Sequence, residues 1–181
     1  MSVEIRRGET PIILTSPEDT VSLRQLIPGD APELYRLLQT NRDSLKRFLP
    51  IYEDGLSSCE SVKRYLETDQ SFPNRYRFGI SDGAVLVGQQ TLYPVGNNNG
   101  EVTTWVAAEF RGNDYAARAG KLLVEFAFDR LGFTKLISHV DIRNKAALKL
   151  VLDSGLRRPT GLSILGFPLQ HFTLPNPNPI P

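Results

Sequence analysis

GEVTTWVAAEFRGNDYAARAGKLLVEFAFDRLG, residues 100–132, is the stretch whose reading decides the fold. A strand-like run from Val102 to Ala108 passes into the polar turn Arg111-Gly112-Asn113-Asp114-Tyr115-Ala116. A helical pattern follows at once, with Ala116, Ala119, Leu123, Phe126 and Ala127 at three- and four-residue spacing and Gly132 placed as its C′ residue. A helix that begins directly after a short turn presents several backbone N–H groups with no intrahelical partner, which makes it a site for phosphate. Asp114 sets a carboxylate in that cradle.

Working outward, Thr20 to Leu26 alternates as a strand. Asp30-Ala31-Pro32-Glu33 opens a helix running to about Asn41, with Leu34, Leu37 and Leu38 as its apolar stripe. Leu45 to Leu49 is a short segment closed by Pro50, and Ser57 with Glu60 reads as a capping box for a helix that buries Val62, Tyr65 and Leu66. Tyr76–Ile80 and Ala84–Leu92 are strands joined through Ser81-Asp82-Gly83, and Gly96 to Gly100 is a turn. The fourth strand, Glu101–Ala108, leads to the central helix. A strand at Lys135–Ile142, a helix at Lys145–Ser154 with Leu152 among its inward residues, and a last strand at about Phe167–Leu174 complete the order. The expected class is α/β, a mixed, mostly antiparallel sheet flanked by helices, in one domain over residues 1–174. The tail Pro175–Pro181 is expected to be extended and disordered, because proline removes donors from any ladder.

Composition narrows the functional classes. The 181 residues favour a single core, and a net charge of +1 gives no general argument for nucleic acid or an anionic membrane as partner. One cysteine, Cys59, excludes an internal disulfide and suits a reducing compartment. No apolar run approaches the roughly 20 residues of a membrane span, and the first residues lack the apolar core of a signal peptide. A cytoplasmic location is therefore expected. No Cys/His metal spacing, Walker sequence or nucleophile elbow is present.

The order of elements, with the turn at Arg111 to Ala116, resembles the GNAT superfamily of acyl-CoA-dependent N-acyltransferases, and within it the ribosomal-protein N-acetyltransferase branch. Leu23-Arg24 with Asp30, Phe48-Leu49-Pro50, Val87-Gly88, Glu109 to Gly112 with Tyr115-Ala116, and Asn144 followed by Leu152-Asp153-Ser154-Gly155-Leu156 carry the resemblance. It implies acetyl-CoA as acyl donor and an amine acceptor, either a protein N-terminus or a small molecule, with a homodimer compatible. It also implies a bulge in the fourth strand that splays it from the fifth. Thr104 and Val106 would then pair with the pantetheine arm, the N–H groups from Gly112 through Asn113, Asp114 and Tyr115 to Ala116 would hold the pyrophosphate, and Asn144 would reach the pantetheine region.

The family turn has glycine where this chain has Asp114. A carboxylate about 5 Å from a phosphate charge costs about 3 kcal/mol at an effective dielectric near 20. Arg111 and Arg118 are candidates to offset it, and the Asp114 side chain is a candidate helix cap. The candidate general base is Glu101, at the start of the fourth strand and acting directly or through a water; a plain solvated strand-end charge is the open alternative. Tyr93 and Ser138 are weaker proton-path candidates. His139 and His171 read as two lone structural histidines, with a catalytic pair as the alternative, and the cluster Arg75 and Arg77 as solvated charge. Two functions stay open: an N-acetyltransferase, or a non-catalytic CoA-sensing or protein-interaction module on the same fold.

Overall fold

The computed structural model describes residues 11–48, 55–71, 75–158 and 169–179. Two strands, β1 (Ile13–Thr15) and β2 (Val21–Gln25), come first. Three helices follow, α1 (Ala31–Thr40), α2 (Arg42–Phe48) and α3 (Cys59–Ser71). A meander of β3 (Tyr76–Asp82), β4 (Val85–Val95) and β5 (Asn99–Val106) leads to α4 (Tyr115–Glu125), which continues as a π-helical turn over Phe126–Arg130. Then come β6 (Lys135–Asp141), α5 (Lys145–Asp153) and β7 (Leu169–Pro175). No helix among the described residues is long and apolar enough to cross a membrane.

The seven strands lie side by side in chain order, as the mixed α/β reading requires. All neighbours are antiparallel except β5 and β6, which the α4 crossover makes parallel. On one face, α4 packs its stripe of Ala119, Leu122, Leu123, Phe126 and Ala127 against Val21, Leu23, Phe78, Ile80 and Leu92. Phe126 stands edge-on to both Tyr76 and Phe78. On the other face, α1 and α3 bury Leu34, Leu37, Val62 and Leu66 with Leu86 and Trp105. Gly88 lets β4 and β5 approach: a Cβ there would stand 2.3 Å from the Trp105 carbonyl oxygen.

Several local expectations change. Helix α3 begins at Cys59, so its capping box is Ser58 with Ser61 rather than Ser57 with Glu60; each of these serines accepts from the other's backbone N–H. Leu152 is 46% exposed rather than inward, because α5 turns Val151 and not its neighbour onto Phe172. The chain after Leu174 is held further than expected. Pro175 still pairs with Lys135, and the buried Asn176 donates from its side chain to the Phe133 carbonyl and from its backbone to Thr134. Proline at the strand's last position loses one donor without breaking the ladder. Pro50, Phe167 and Pro168 lie outside the described residues.

Candidate functional site

The β5–β6 pairing covers three positions, Asn99↔Lys135 to Glu101↔Ile137, after which the strands diverge. The splay needs no bulge in β5, for its register with β4 runs unbroken from Val95↔Asn99 to Gly88↔Val106. Beyond this ladder, the Ala107 N–H still donates to the Val87 carbonyl at 2.9 Å. Alternation along an antiparallel pair then turns the backbone groups of Val102, Thr104 and Val106 away from β4, toward the side that β6 has left. Two observations agree. Pro94, which has no N–H, stands opposite Gly100 at a non-bonded position, and the Val106 carbonyl accepts from Arg111 Nε at 3.1 Å. Thr104 and Val106 thus line the opening through their backbones; the Thr104 hydroxyl is engaged under α4 by Gln90 Nε2 at 3.0 Å.

At the end of this opening stands the turn before α4. Gly112 (φ 86°) and Asp114 (φ 54°) both take the left-handed conformation, which aspartate tolerates better than most residues. Among the described residues, no protein acceptor meets the N–H groups of Gly112, Asn113, Asp114, Tyr115, Ala116 or Ala117; the first N–H at this end to find one is that of Arg118, on the Asp114 carbonyl. Six outward donors at the positive end of a helix make an anion cradle.

The charges around the cradle are arranged otherwise than expected. Asp114 is exposed and its carboxylate caps nothing. Arg118 does not offset it: its guanidinium grips Asp19, with Nε donating at 2.8 Å, and holds that carboxyl down at about 2. Arg111 spans Val106 and the Ser44 hydroxyl. The Asn113 side chain folds back onto the Phe110 carbonyl at 3.2 Å. Lys149 on α5, paired with Asp153, is raised first by that partner and also by the Asp114 charge. Tyr115 fixes the first turn of α4 by donating its hydroxyl to Asp82 at 2.8 Å. Asn144 caps α5 by accepting from the Ala147 N–H at 3.1 Å, so its Nδ2 is the group left for another partner.

Glu101 sits where β5 and β6 part, on the α1/α3 face. Its Oε1 lies 3.0 Å from His139 Nδ1, and His139 Nε2 lies 3.2 Å from His171 Nδ1. The two histidines, opposite each other on β6 and β7, are therefore not lone residues. The hydrogen bond from His139 keeps the Glu101 carboxyl below its ordinary range, and the same bond raises His139. Burial, together with the His139 and Lys135 charges, lowers His171. Tyr93, opposite Glu101 on β4, is pushed up to about 12, first by burial and then by the Glu101 charge, so it stays a phenol at neutral pH. Ser138 falls on the other face, in line with Leu136 and Val140, and leaves this group. Arg77 and Arg75 are not plain solvated charge: they lie over the Tyr65 and Tyr93 rings, Arg77 at 3.4 Å from the centroid. Sequence separations of 32 and 38 residues hide the Glu101–His139–His171 row. The signal within reach was parity, since Glu101 and His139 each fall on the alternate residues of adjoining strands. No group of three His, Cys, Asp or Glu among the described residues could hold a metal ion.

Against known proteins, the sequence profile of the acetyltransferase (GNAT) domain matches residues 20–157. A Bacillus subtilis (strain 168) protein, YdaF, provisionally described as a ribosomal N-acetyltransferase, is 25% identical over 122 residues, covering 64% of this chain and 66% of the relative, a little under two thirds of its length. Among solved structures, the ribosomal-protein-S5-alanine acetyltransferase of Vibrio fischeri superimposes with a TM-score of 0.80 at 16% identity, over 94% of this chain and 100% of that one. RimL, a ribosomal L7/L12 alpha-N-protein acetyltransferase solved in complex with coenzyme A, gives 0.76 at 15% identity, over 91% and 98%. At these identities the two structures establish the shared fold.

Proposed function

The chain belongs to the acetyltransferase (GNAT) family, and from that premise we propose that it is an acetyl-CoA-dependent N-acetyltransferase acting on a primary amine. The acceptor is a protein N-terminus or a small amine, attacking directly in a ternary complex, in the cytoplasm. The observation that carries this reading is the coincidence of six N–H groups at the start of α4, without a partner among the described residues, with a strand edge left open by the β5–β6 splay. The first suits a pyrophosphate, the second an extended amide-bearing arm. The donors are backbone groups, so the cradle fits CoA without any side chain having to reach it.

Acetyl-CoA supplies the activated acetyl group. In this reading Gly112 to Ala116 hold its phosphates, with Arg111 beside them. Thr104 and Val106 orient its arm through their backbones, and Asn144 Nδ2 donates from across the opening. The Val106 N–H is aimed at the same opening and can polarise a carbonyl there. Glu101, ionised at neutral pH, gives the site the negative charge that draws the proton from the acceptor amine. Tyr93, still protonated, is a donor for a leaving thiolate.

One observation favours the second reading, a weakly binding, non-catalytic module: the exposed Asp114 carboxylate beside the donors. Thermal denaturation with and without acetyl-CoA separates the two, since a ligand at 100 times its dissociation constant stabilises the native state by about 2.7 kcal/mol. A shift with acetyl-CoA, and mass-spectrometric acetylation of at least one member of a panel of N-terminal peptides and polyamines, supports the enzyme. No shift at millimolar acetyl-CoA sinks it.

A further inference from the structure

Glu101, His139 and His171 form a continuous hydrogen-bonded row across β5, β6 and β7, with separations of 3.0 and 3.2 Å. The ionised Glu101 accepts only, so His139 must carry its proton on Nδ1. With both rings neutral, the His139 Nε2 is a lone pair and accepts from His171 Nδ1–H. The tautomers of both rings are thereby set, and the row ends in an unprotonated His171 Nε2.

We propose that the three residues act as one proton-accepting unit, in which His171 Nε2 is the catalytic base and His139 and Glu101 are positioning residues. This rests on the N-acetyltransferase reading and refines its account of Glu101. The N–H bond of the acceptor ammonium breaks and its proton bonds to His171 Nε2. The proton on His171 Nδ1 passes to His139 Nε2, and the positive charge ends on His139 against the Glu101 carboxylate. The unit goes from net charge −1 to 0 without separating charge, the logic of an acid–histidine pair extended by one ring. The rings cannot both be protonated without setting Nε2–H of one against Nδ1–H of the other, so the pair takes up a single proton across neutral pH. The opposite shifts of the two imidazoles agree with this. Among the described residues, the other charged or titratable groups around the row are Tyr93 beside Glu101, Arg75 and Arg77 beside Tyr93, and Lys135 beside His171.

The chain has two histidines, so one variant assigns both imidazole signals. The test is an NMR titration of the Cε1–H resonances in the intact protein, wild type and Glu101→Gln, joined to pH profiles of kcat/KM for wild type, His139→Gln and His171→Asn. The expected result is one ring titrating above 6.5 and the other below. Glu101→Gln then brings the upper midpoint down, and His171→Asn lowers kcat/KM by about 10²-fold and abolishes the acidic limb while the stabilisation by acetyl-CoA persists. Two independent titrations near the ordinary histidine value overturn the coupling. A His171→Asn profile that superimposes on the wild type overturns the catalytic assignment. A wild type that acetyl-CoA does not stabilise is a failure of the parent reading, and the imidazole titration still decides whether the unit exists.

Discussion

Replacing Asp114 by Asn should strengthen CoA binding, and its size can be worked from where the side chain sits. Asp114 occupies the left-handed position directly before α4, among six N–H donors, and its carboxylate accepts no hydrogen bond from the helix. Removing its charge therefore removes no cap. Asparagine keeps the shape and tolerates the same backbone conformation, so apo stability should change little. A phosphate charge on those donors would lie about 5 Å from the carboxylate; the repulsion is about 3 kcal/mol at an effective dielectric of 20 and about 0.8 kcal/mol in bulk water. The exposure of Asp114 puts the site between these limits, which corresponds to a gain of about five- to fiftyfold in affinity. Titration calorimetry with CoA in low salt measures it. The gain should shrink toward 1 M salt, where the Debye length falls to about 3 Å. Asp114→Gly adds relief of the left-handed strain and tests the backbone share separately. Equal affinities of wild type and Asp114→Asn within twofold at low salt would refute the reasoning, because the carboxylate would then be shown to point away from the ligand.

Three further outcomes are expected. Glu101→Gln should lower kcat by up to about 10²-fold with the acetyl-CoA thermal shift intact; a variant as active as the wild type removes Glu101 from the chemistry. Gly88→Ala puts a Cβ 2.3 Å from the Trp105 carbonyl oxygen and 3.0 Å from Val106 Cα, both backbone. It should cost about 1–3 kcal/mol in urea unfolding, and unchanged stability would mean that β4 and β5 can separate freely there. Arg118→Ala should lower Tm at neutral pH. Asp19 is held at about 2 against an ordinary 3.8, so its contribution is complete above pH 4 and is lost as the pH falls toward 2; the Tm gap should narrow below pH 4, and a constant gap would assign the loss to packing.

What could be read from the sequence was whatever a single element signals about itself. The strand–turn–helix at residues 100–132, the α1 stripe and the Asn144 cap are local patterns, and each stands where the sequence puts it. What could not be read depended on partners distant in the chain. Arg118 looked available to the cradle because nothing within its helix claims it; its acceptor, Asp19, is 99 residues away. His139 and His171 looked isolated because their contact is created by β6–β7 register. Short β1 has too few residues to alternate convincingly, and the extra residue of the π turn after α4 leaves no compositional mark.

The two halves of the candidate site have one origin. Six neighbouring strand pairs are formed, and five are antiparallel. Of the connections that carry a helix, the one from β5 to β6 joins strands that run the same way, and α4 begins at the carboxyl end of β5. The strand ends that diverge are those beside the helix N-terminus, the crevice in which open α/β sheets bind ligands. The donors there belong to the backbone and follow from topology, not from the glycine pattern that usually accompanies it. This is why aspartate at position 114 leaves the cradle's geometry in place while changing its potential. It also explains the position of Glu101: as the last β5 residue still paired with β6, it stands where the strands part and meets His139 across the pair.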